Sequence, residues 1–406
     1  MKQKPHLSAI ICEYNPFHYG HQYHIKETRK QGATHIAAIM SGHFVQRGEP
    51  ALLNKWARAE MALRNGVDLV LELPTPWAMA SAEFFAAGGV ALANAMGCVD
   101  SLSFGSESGN LSGLQAAAQA LTLPDTLAMT KTYLKEGMPY AQAHVSAMRH
   151  ISGEKAAGLL REPNNILAIS YLKALTCSQS GIRPLAIQRK GAGHDSHSTN
   201  DRFASASLLR CRIYEGNFDC LSAWMPKSCL AVLQRETLRG QAPASLFNGE
   251  RALLSHLRRL SPRHLASIQG VSEGLENRLY TAIRHSTTLE ELFSVLKTKR
   301  YPLSRLRRMV MAAFLGLQKD IASGKPPYLR VLGFNQAGTE ILRQMRTTAR
   351  LPILMRAADR AKLSTVEKRV FDFECIATDL YALFCPVPQP CGSELTTNSI
   401  RVFSKD

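Results

Sequence analysis

Short apolar runs alternate with helical patterns from the start of the chain, and that alternation restricts the fold more than any other feature. Residues 7–12, 35–40, 67–73, 99–104 and 184–188 are apolar stretches of strand length, of the kind buried on both faces of a parallel sheet. Between them, residues 22–31, 54–65, 80–95 and 165–178 carry helical spacing, with Asn54 placed to cap one helix and Gly66 to end it. Strand and helix in succession require right-handed crossovers and put ligand outside the carboxyl ends of the strands. The expected class is α/β, with a Rossmann-like first domain.

From about residue 221 the strand signal fades. Helical patterns cover residues 230–238, 252–260, 275–285, 289–296 and 303–317. Residues 328–355 are mixed, with a strand-like Tyr328-Leu329-Arg330-Val331-Leu332, and residues 358–383 are helical again. Charge follows the same division: residues 1–220 hold 21 Lys and Arg against 17 Asp and Glu, whereas residues 221–406 hold 28 against 15. A basic balance concentrated in one half points to a polyanion partner, because each phosphate contact releases counterions. The plainer alternative is a solubilising surface.

Nine cysteines without a Cys-x-x-Cys pair indicate neither a zinc cage nor a disulfide framework, and fit a reducing cytoplasm. The first residues make a poor secretion signal. The one stretch that mimics a membrane span, residues 77–96, is mostly Ala and Gly and contains Glu83 and Asn94. It reads as a buried helix packed closely on a sheet.

The first apolar run leads into Asn15-Pro16-Phe17-His18-Tyr19-Gly20-His21, which puts a His-x-Gly-His on the turn between a first strand and a first helix. Free amides and the macrodipole at a helix N-terminus attract anions, and a glycine there lets a ligand approach the backbone. Two imidazoles three residues apart at such a place suit the phosphates of ATP. The alternative is a pair of surface histidines that merely cap the helix.

The stretch Ile11-Cys12-Glu13-Tyr14-Asn15-Pro16-Phe17-His18-Tyr19-Gly20-His21-Gln22-Tyr23-His24 resembles the opening of the tRNA(Met) cytidine acetate ligase family, a branch of the HIGH-motif nucleotidyltransferases. Ser41-Gly42-His43-Phe44-Val45-Gln46-Arg47-Gly48-Glu49-Pro50, Phe104-Gly105-Ser106-Glu107, Pro163-Asn164-Asn165-Ile166-Leu167, Arg189-Lys190-Gly191-Ala192-Gly193 and Ala204-Ser205-Ala206-Ser207 resemble further family motifs, in the family's order. The resemblance implies a HIGH-type catalytic domain over residues 1–220 and a mostly helical, basic, tRNA-binding domain over residues 221–406. It implies an ATP-dependent ligase that activates acetate as acetyl-adenylate, releases pyrophosphate, and acetylates the exocyclic amine of the wobble cytidine of elongator tRNA(Met). ATP is then a substrate accompanied by Mg2+, the partners are acetate and tRNA(Met), and neither a membrane nor an obligate protein partner is expected.

By the same resemblance the stretch from Ile11 to His24, Gly105, Asn164 and Arg189 contact ATP, with His18 and His21 as the catalytic pair. Arg189 suits phosphate because its planar fork stays charged. Asn164 stands at a helix start, where an N-cap role is as natural as ligand binding. Ser205, Ser207 and Arg210 stand where the superfamily carries a second phosphate-binding turn, although Leu208 and Leu209 precede the arginine here. Gln46, Arg47, Lys55 and Arg58 are candidates for the acetate or cytidine side, yet Lys55 and Arg58 read more simply as an exposed helix face. His194 and Asp195 are a candidate orienting pair.

For RNA, the candidates are Arg258, Arg259, Arg263, Lys297, Lys299, Arg300, Arg305, Arg307 and Arg308. Leu306, Val310, Ala313 and Leu317 make one apolar helix face that leaves Arg305 and Arg308 free for phosphates. Phe44 and Tyr14 are candidates for base stacking or for the core. Two other functions remain open: a small-molecule cofactor nucleotidyltransferase, and an RNA-binding protein whose nucleotide site has lost activity.

Overall fold

The computed structural model describes residues 6–190, 203–272, 274–299, 301–321 and 323–403. Gly191, Ala192, Gly193, His194, Asp195 and Arg300 lie outside the described residues.

The chain opens with β1 (Leu7–Cys12), α1 (Tyr19–Lys30) and β2 (His35–Ser41). A short hairpin of β3 (Phe44–Val45) and β4 (Glu49–Pro50) follows, then α2 (Lys55–Leu63) and β5 (Leu69–Leu73). After α3 (Thr75–Ala78) and α4 (Ala82–Met96) comes β6 (Ser101–Ser106). Three helices that sequence patterning did not anticipate, α5 (Leu111–Ala120), α6 (Pro124–Lys135) and α7 (Tyr140–Leu159), precede α8 (Pro163–Cys177) and β7 (Arg183–Gln188).

All five expected strands are present and parallel, in the order β5-β2-β1-β6-β7. Alternate residues face opposite sides, as a strand's period of two requires. Ala9, Ile11, Ile39 and Leu71 meet Phe85 and Val90 of α4, while Ile10, Met40 and Val70 pack with Ile25 of α1 and Met61 of α2. Chain order runs outward in both directions from β1, so the carboxyl ends of β1 and β6 flank a topological switch point, where open α/β sheets bind ligand. No helix among the described residues is long and apolar enough to cross a membrane, and the stretch that mimicked a span is largely α4, buried against the sheet.

The helical half begins with α9 (Ala206–Tyr214) and α10 (Lys227–Leu238). Next come α11 (Glu250–Arg258), α12 (Pro262–Ser267), α13 (Leu275–His285), α14 (Leu289–Leu296) and α15 (Leu303–Leu315). Helices α11 to α15 build a second core that also takes in Phe44 from the β3–β4 hairpin. The chain then returns through β8 (Leu329–Asn335), α16 (Gln336–Thr348), β9 (Ile353–Leu354), α17 (Thr365–Tyr381), α18 (Ser393–Thr396) and β10 (Ile400–Val402). Strand β8 joins β5 antiparallel and β10 closes that edge. Residues on both sides of the expected 220/221 division therefore build one sheet.

What fastens the returning segment to the sheet is ionic and dry. Lys55 Nζ lies 2.7 Å from Glu72 Oε1 and 2.5 Å from Glu394 Oε2, and Arg330 Nη2 lies 3.4 Å from Glu394 Oε1. Glu374 accepts from the backbone N and the hydroxyl of Thr75, at 2.6 and 2.9 Å. All five charged residues are buried. Burial first, and the Glu72 carboxylate second, push the Glu374 carboxyl up to about 8, so Glu374 is held as a neutral acid at pH 7. Lys55 on an exposed helix face is thus not what the structure shows. Replacing it with Met leaves two buried carboxylates without their shared cation and is expected to cost ~3–5 kcal/mol in urea unfolding, whereas Glu374→Gln, which keeps the shape of the neutral acid, costs clearly less.

Candidate active site

The carboxyl end of β1 runs through Tyr14, in the left-handed region at φ 47°, into a helix cap made of histidines. His18 Nδ1 accepts from the backbone N of Gly20 at 3.0 Å, and His21 Nδ1 accepts from the backbone N of His18 at 3.3 Å. A nitrogen that accepts an N–H carries no proton, so both neutral rings hold theirs on Nε2. The rings lie 3.8 Å apart, tilted by 31°. Gly20 is required here, because a Cβ would sit 2.7 Å from His18 Cε1. The motif therefore serves as a cap and as a donor array at once, and the two readings of the sequence are not exclusive.

Burial and neighbouring cations keep these rings neutral. The His18 imidazole is held down at about 3, by burial first and then by Arg189 and Arg210. His21 is lowered well below the usual range by burial, His18, Arg189 and His24. Burial and then Arg189 hold His24 at about 4. Arg189 contributes to the depression of all three rings.

The opposite wall comes from β6, β7 and α8. Arg189 continues β7, its backbone N donating to Ser106 O at 3.0 Å. The Arg189 side chain passes close to Gly105, where a Cβ would stand 3.3 Å from Arg189 Cγ. Glu107 reaches across to the start of α8, accepting from the backbone N of Asn164 and Asn165 at 3.2 and 2.8 Å and from Asn164 Nδ2 at 2.5 Å. Asn164 is not the N-cap: that position is Glu162, and Glu107 takes the orphan amides. Ser205 caps α9 by accepting from the backbone N of Leu208 at 3.1 Å. Arg210 donates to Asn15 O at 2.9 Å and to Ser207 Oγ at 3.2 Å, so this turn docks against the His-x-Gly-His loop.

Arg58, the other half of the supposed exposed face, is also fully buried. Its guanidinium donates to Leu53 O at 3.1 Å, Glu13 O at 2.6 Å, Ser41 O at 3.0 Å and Gly42 O. Strands that end at a crevice leave carbonyls needing donors, and one arginine supplies several. Gln46 donates from its backbone N to Glu13 Oε1 at 2.8 Å, while Arg47 is exposed.

Phe44 and Tyr14 are core residues, 0 % and 2 % exposed, and so are not open for stacking. Arg305, Arg307 and Arg308 are half-buried and engaged. Arg307 pairs with Glu49, Arg308 donates to Gln46 O at 3.2 Å, and Arg305 donates to Ser272 Oγ at 3.1 Å. The α15 backbone packs so closely on Gly48 that a Cβ there would overlap Arg307 and Arg308. By contrast Arg259, Arg263, Lys297 and Lys299 are exposed, as is Arg258, although Arg258 also donates to Ser286 O at 3.2 Å. Sequence reasoning passed over Glu13 as an anchor for the hairpin and Glu107 as the α8 cap. Glu107 left a signal, since a helix opening Pro163-Asn164-Asn165 has amides to satisfy and no acidic residue in its first turn.

The profile of the HIGH Nucleotidyl Transferase family matches residues 6–394. A tRNA(Met) cytidine acetate ligase from Alkaliphilus metalliredigens is 39% identical over 397 residues, 93% of this chain and 94% of that protein. One from Acetivibrio thermocellus is 38% identical over 412 residues, covering 97% and 99%. The chain belongs to the tRNA(Met) cytidine acetate ligase family. Its structure is similar to that of apo TmcAL from Thermotoga maritima, with a TM-score of 0.94, 33% identity, and coverage of 98% of this chain and 100% of that one. The same Thermotoga protein bound with alpha-thio ATP gives a TM-score of 0.92. The HIGH-type α/β fold expected from the sequence is the fold observed.

The neutral histidines have a consequence for stability. Between the ordinary imidazole pKa of 6.5 and the depressed folded values, His18 at about 3, the unfolded chain binds protons that the folded chain does not. Stability therefore falls as pH falls through that window, by up to ~1.4 kcal/mol per pH unit for each such histidine. The melting temperature is expected to drop from pH 7 to pH 5, and to drop less steeply in a His18→Gln/His21→Gln variant. Equal slopes in both proteins contradict the assignment.

Proposed function

We propose that this chain is an ATP-dependent ligase that makes acetyl-adenylate from acetate and ATP and acetylates the exocyclic amine of the wobble cytidine of elongator tRNA(Met). The observation that carries the mechanism is the convergence of two neutral Nε2–H donors, on His18 and His21, with the cations Arg189 and Arg210 at the carboxyl end of β1. An acetate oxygen attacks the α-phosphorus of ATP and pyrophosphate leaves. The cytidine amine then attacks the acyl carbon, AMP departs with the bonding pair, and the amine loses a proton to form the amide. No covalent protein intermediate is needed, so the chain's work is alignment and charge stabilisation. Donors that are already oriented by a helix cap need no rearrangement as charge grows on the phosphate. Magnesium is expected to arrive on the phosphates; Glu107 is committed to the amides of α8 and is not a free ligand for it.

The exposed cations Arg258, Arg259, Arg263, Lys297 and Lys299 support tRNA binding by the helical half. Phosphate contacts there fix register, and the crevice reads the base. Replacing Arg258, Arg259 and Arg263 with Ala is expected to weaken tRNA binding and flatten its salt dependence, by up to ~0.7–0.9 in slope for each phosphate no longer neutralised. A cofactor nucleotidyltransferase shows no specific tRNA binding in that titration, and a merely solubilising face shows identical curves for both proteins.

The deciding experiment incubates the protein with labelled acetate, ATP and total tRNA, followed by nucleoside analysis and pyrophosphate measurement. Acetylcytidine in elongator tRNA(Met) with ATP-dependent pyrophosphate release is expected. Acetylation from acetyl-coenzyme A without ATP, or RNA binding with no turnover, overturns the reading. His18→Ala and His21→Ala are each expected to slow adenylation by roughly 100- to 1000-fold, the usual worth of one preorganised donor.

A further inference from the structure

His24 lies three residues beyond His21 on α1, about 4.5 Å along the helix axis, and its proton can be located by counting. Thr28 Oγ1 lies 2.9 Å from the backbone O of His24 and 2.7 Å from Ser103 Oγ, and Ser103 Oγ lies 2.9 Å from His24 Nε2. A carbonyl only accepts, so the single Thr28 hydroxyl proton goes to His24 O, the usual back-bond of a threonine within a helix. Ser103 must then donate to Thr28. With its own proton spent, Ser103 can only accept from His24, whose proton is therefore on Nε2. The four groups form a closed ring: His24 Nε2–H to Ser103, Ser103 to Thr28, Thr28 to the His24 carbonyl.

Nδ1 of His24 is left as a bare lone pair. Among the described residues it bonds to no protein atom, it is not one of the buried unpartnered atoms, and the residue is half-buried, so Nδ1 meets solvent. His18 and His21 have the opposite arrangement: their Nδ1 atoms are occupied by backbone amides and their Nε2–H groups are free. Helix α1 thus carries two donors at its start and one acceptor a turn further on. Phosphate oxygens carry no proton at neutral pH and cannot satisfy that acceptor, and with its pKa held at about 4, by burial first and by Arg189 second, the ring does not become a donor.

We propose that His24 Nδ1 accepts a hydrogen bond from a ribose hydroxyl of the bound nucleotide and so selects ribonucleotides, with Ser103 and Thr28 as positioning residues that hold the tautomer. The proposal rests on the reading that ATP occupies this crevice with its phosphates at His18 and His21. The ribose is joined to the α-phosphate, and one helical turn separates the two donors from the acceptor. The other donor on the nucleotide, the adenine amine, stands at the far end of the base.

The test compares ATP, 2′-deoxyATP, 3′-deoxyATP and purine riboside triphosphate, which lacks the amine, in acetate-dependent pyrophosphate release. Wild-type protein is expected to prefer ATP over one deoxy analogue by roughly 3- to 10-fold in kcat/KM, the worth of one neutral hydrogen bond. His24→Phe removes that preference. Ser103→Ala, which keeps the ring but releases its tautomer, reduces it. A preference unchanged in both variants, or one lost only for the analogue without the amine, overturns the proposal. Long-range proton–nitrogen NMR of histidine-labelled protein reads the tautomer without any turnover: a protonated Nε2 on His24 is expected, and a protonated Nδ1 overturns the proposal. Failure of every nucleotide to release pyrophosphate counts against the ligase reading instead, and the NMR result still decides the tautomer.

Discussion

One buried ammonium, Lys55 Nζ between Glu72 and Glu394, joins parts of the chain more than three hundred residues apart. It draws α2, β5 and the returning C-terminal segment to a single point, and Arg330 and Glu374 complete the cluster from β8 and α17. Such a cluster adds little net stability over a packed apolar core, but losing one member is costly. Its effect is registration: only one docking of the returning segment pairs every charge. The same point borders the crevice, since Gly42, at the end of β2, lies against the Glu72 carboxylate with no room for a side chain. Arg58, three residues beyond Lys55, gathers the carbonyls of Glu13, Ser41 and Gly42. The loops after β1 and β2 are therefore fixed from behind by buried cations.

That rigidity suits the chemistry in front of it. His18 and His21 are useful as neutral donors only while their Nδ1 atoms stay engaged with the backbone of the cap. Charge at the site comes instead from the guanidiniums of Arg189 and Arg210. The division of labour is consistent: imidazoles supply direction, guanidiniums supply charge, and after burial itself Arg189 helps to depress both imidazole pKa values. A protonated histidine pair 3.8 Å apart would repel itself and break the cap.

Much of the fold was legible because it follows from local pattern. The five parallel strands, the Asn54 cap and the strand-to-helix turn at His18 all rest on residues adjacent in sequence. The roles of Lys55 and Arg58 were not, because a helix carrying Lys and Arg one turn apart looks solvated unless its distant partners are known. Glu374 lies in a stretch, residues 358–383, where only helical spacing could be read, and Glu394 lies in the polar tail beyond it, which sequence alone reads as loosely held although Glu394 is buried. Leu306, Val310 and Ala313 form the expected apolar face of α15, while Leu317, also buried, lies beyond the helix end at Gly316; the arginines opposite are engaged by protein groups rather than free. Gly48 is the reason: its missing side chain lets the β3–β4 hairpin close over that face, and nothing in a periodicity argument signals it.

The buried cluster makes the parallel sheet and the returning segment one cooperative unit behind the crevice. Native-state hydrogen exchange at increasing denaturant, followed on the amides of β2, β5 and β8, measures this directly. Strand β8 is expected to open together with β2 and β5, with one free energy and one denaturant dependence. Exchange of β8 through a separate, lower-energy opening, while β2 and β5 stay protected, would contradict it.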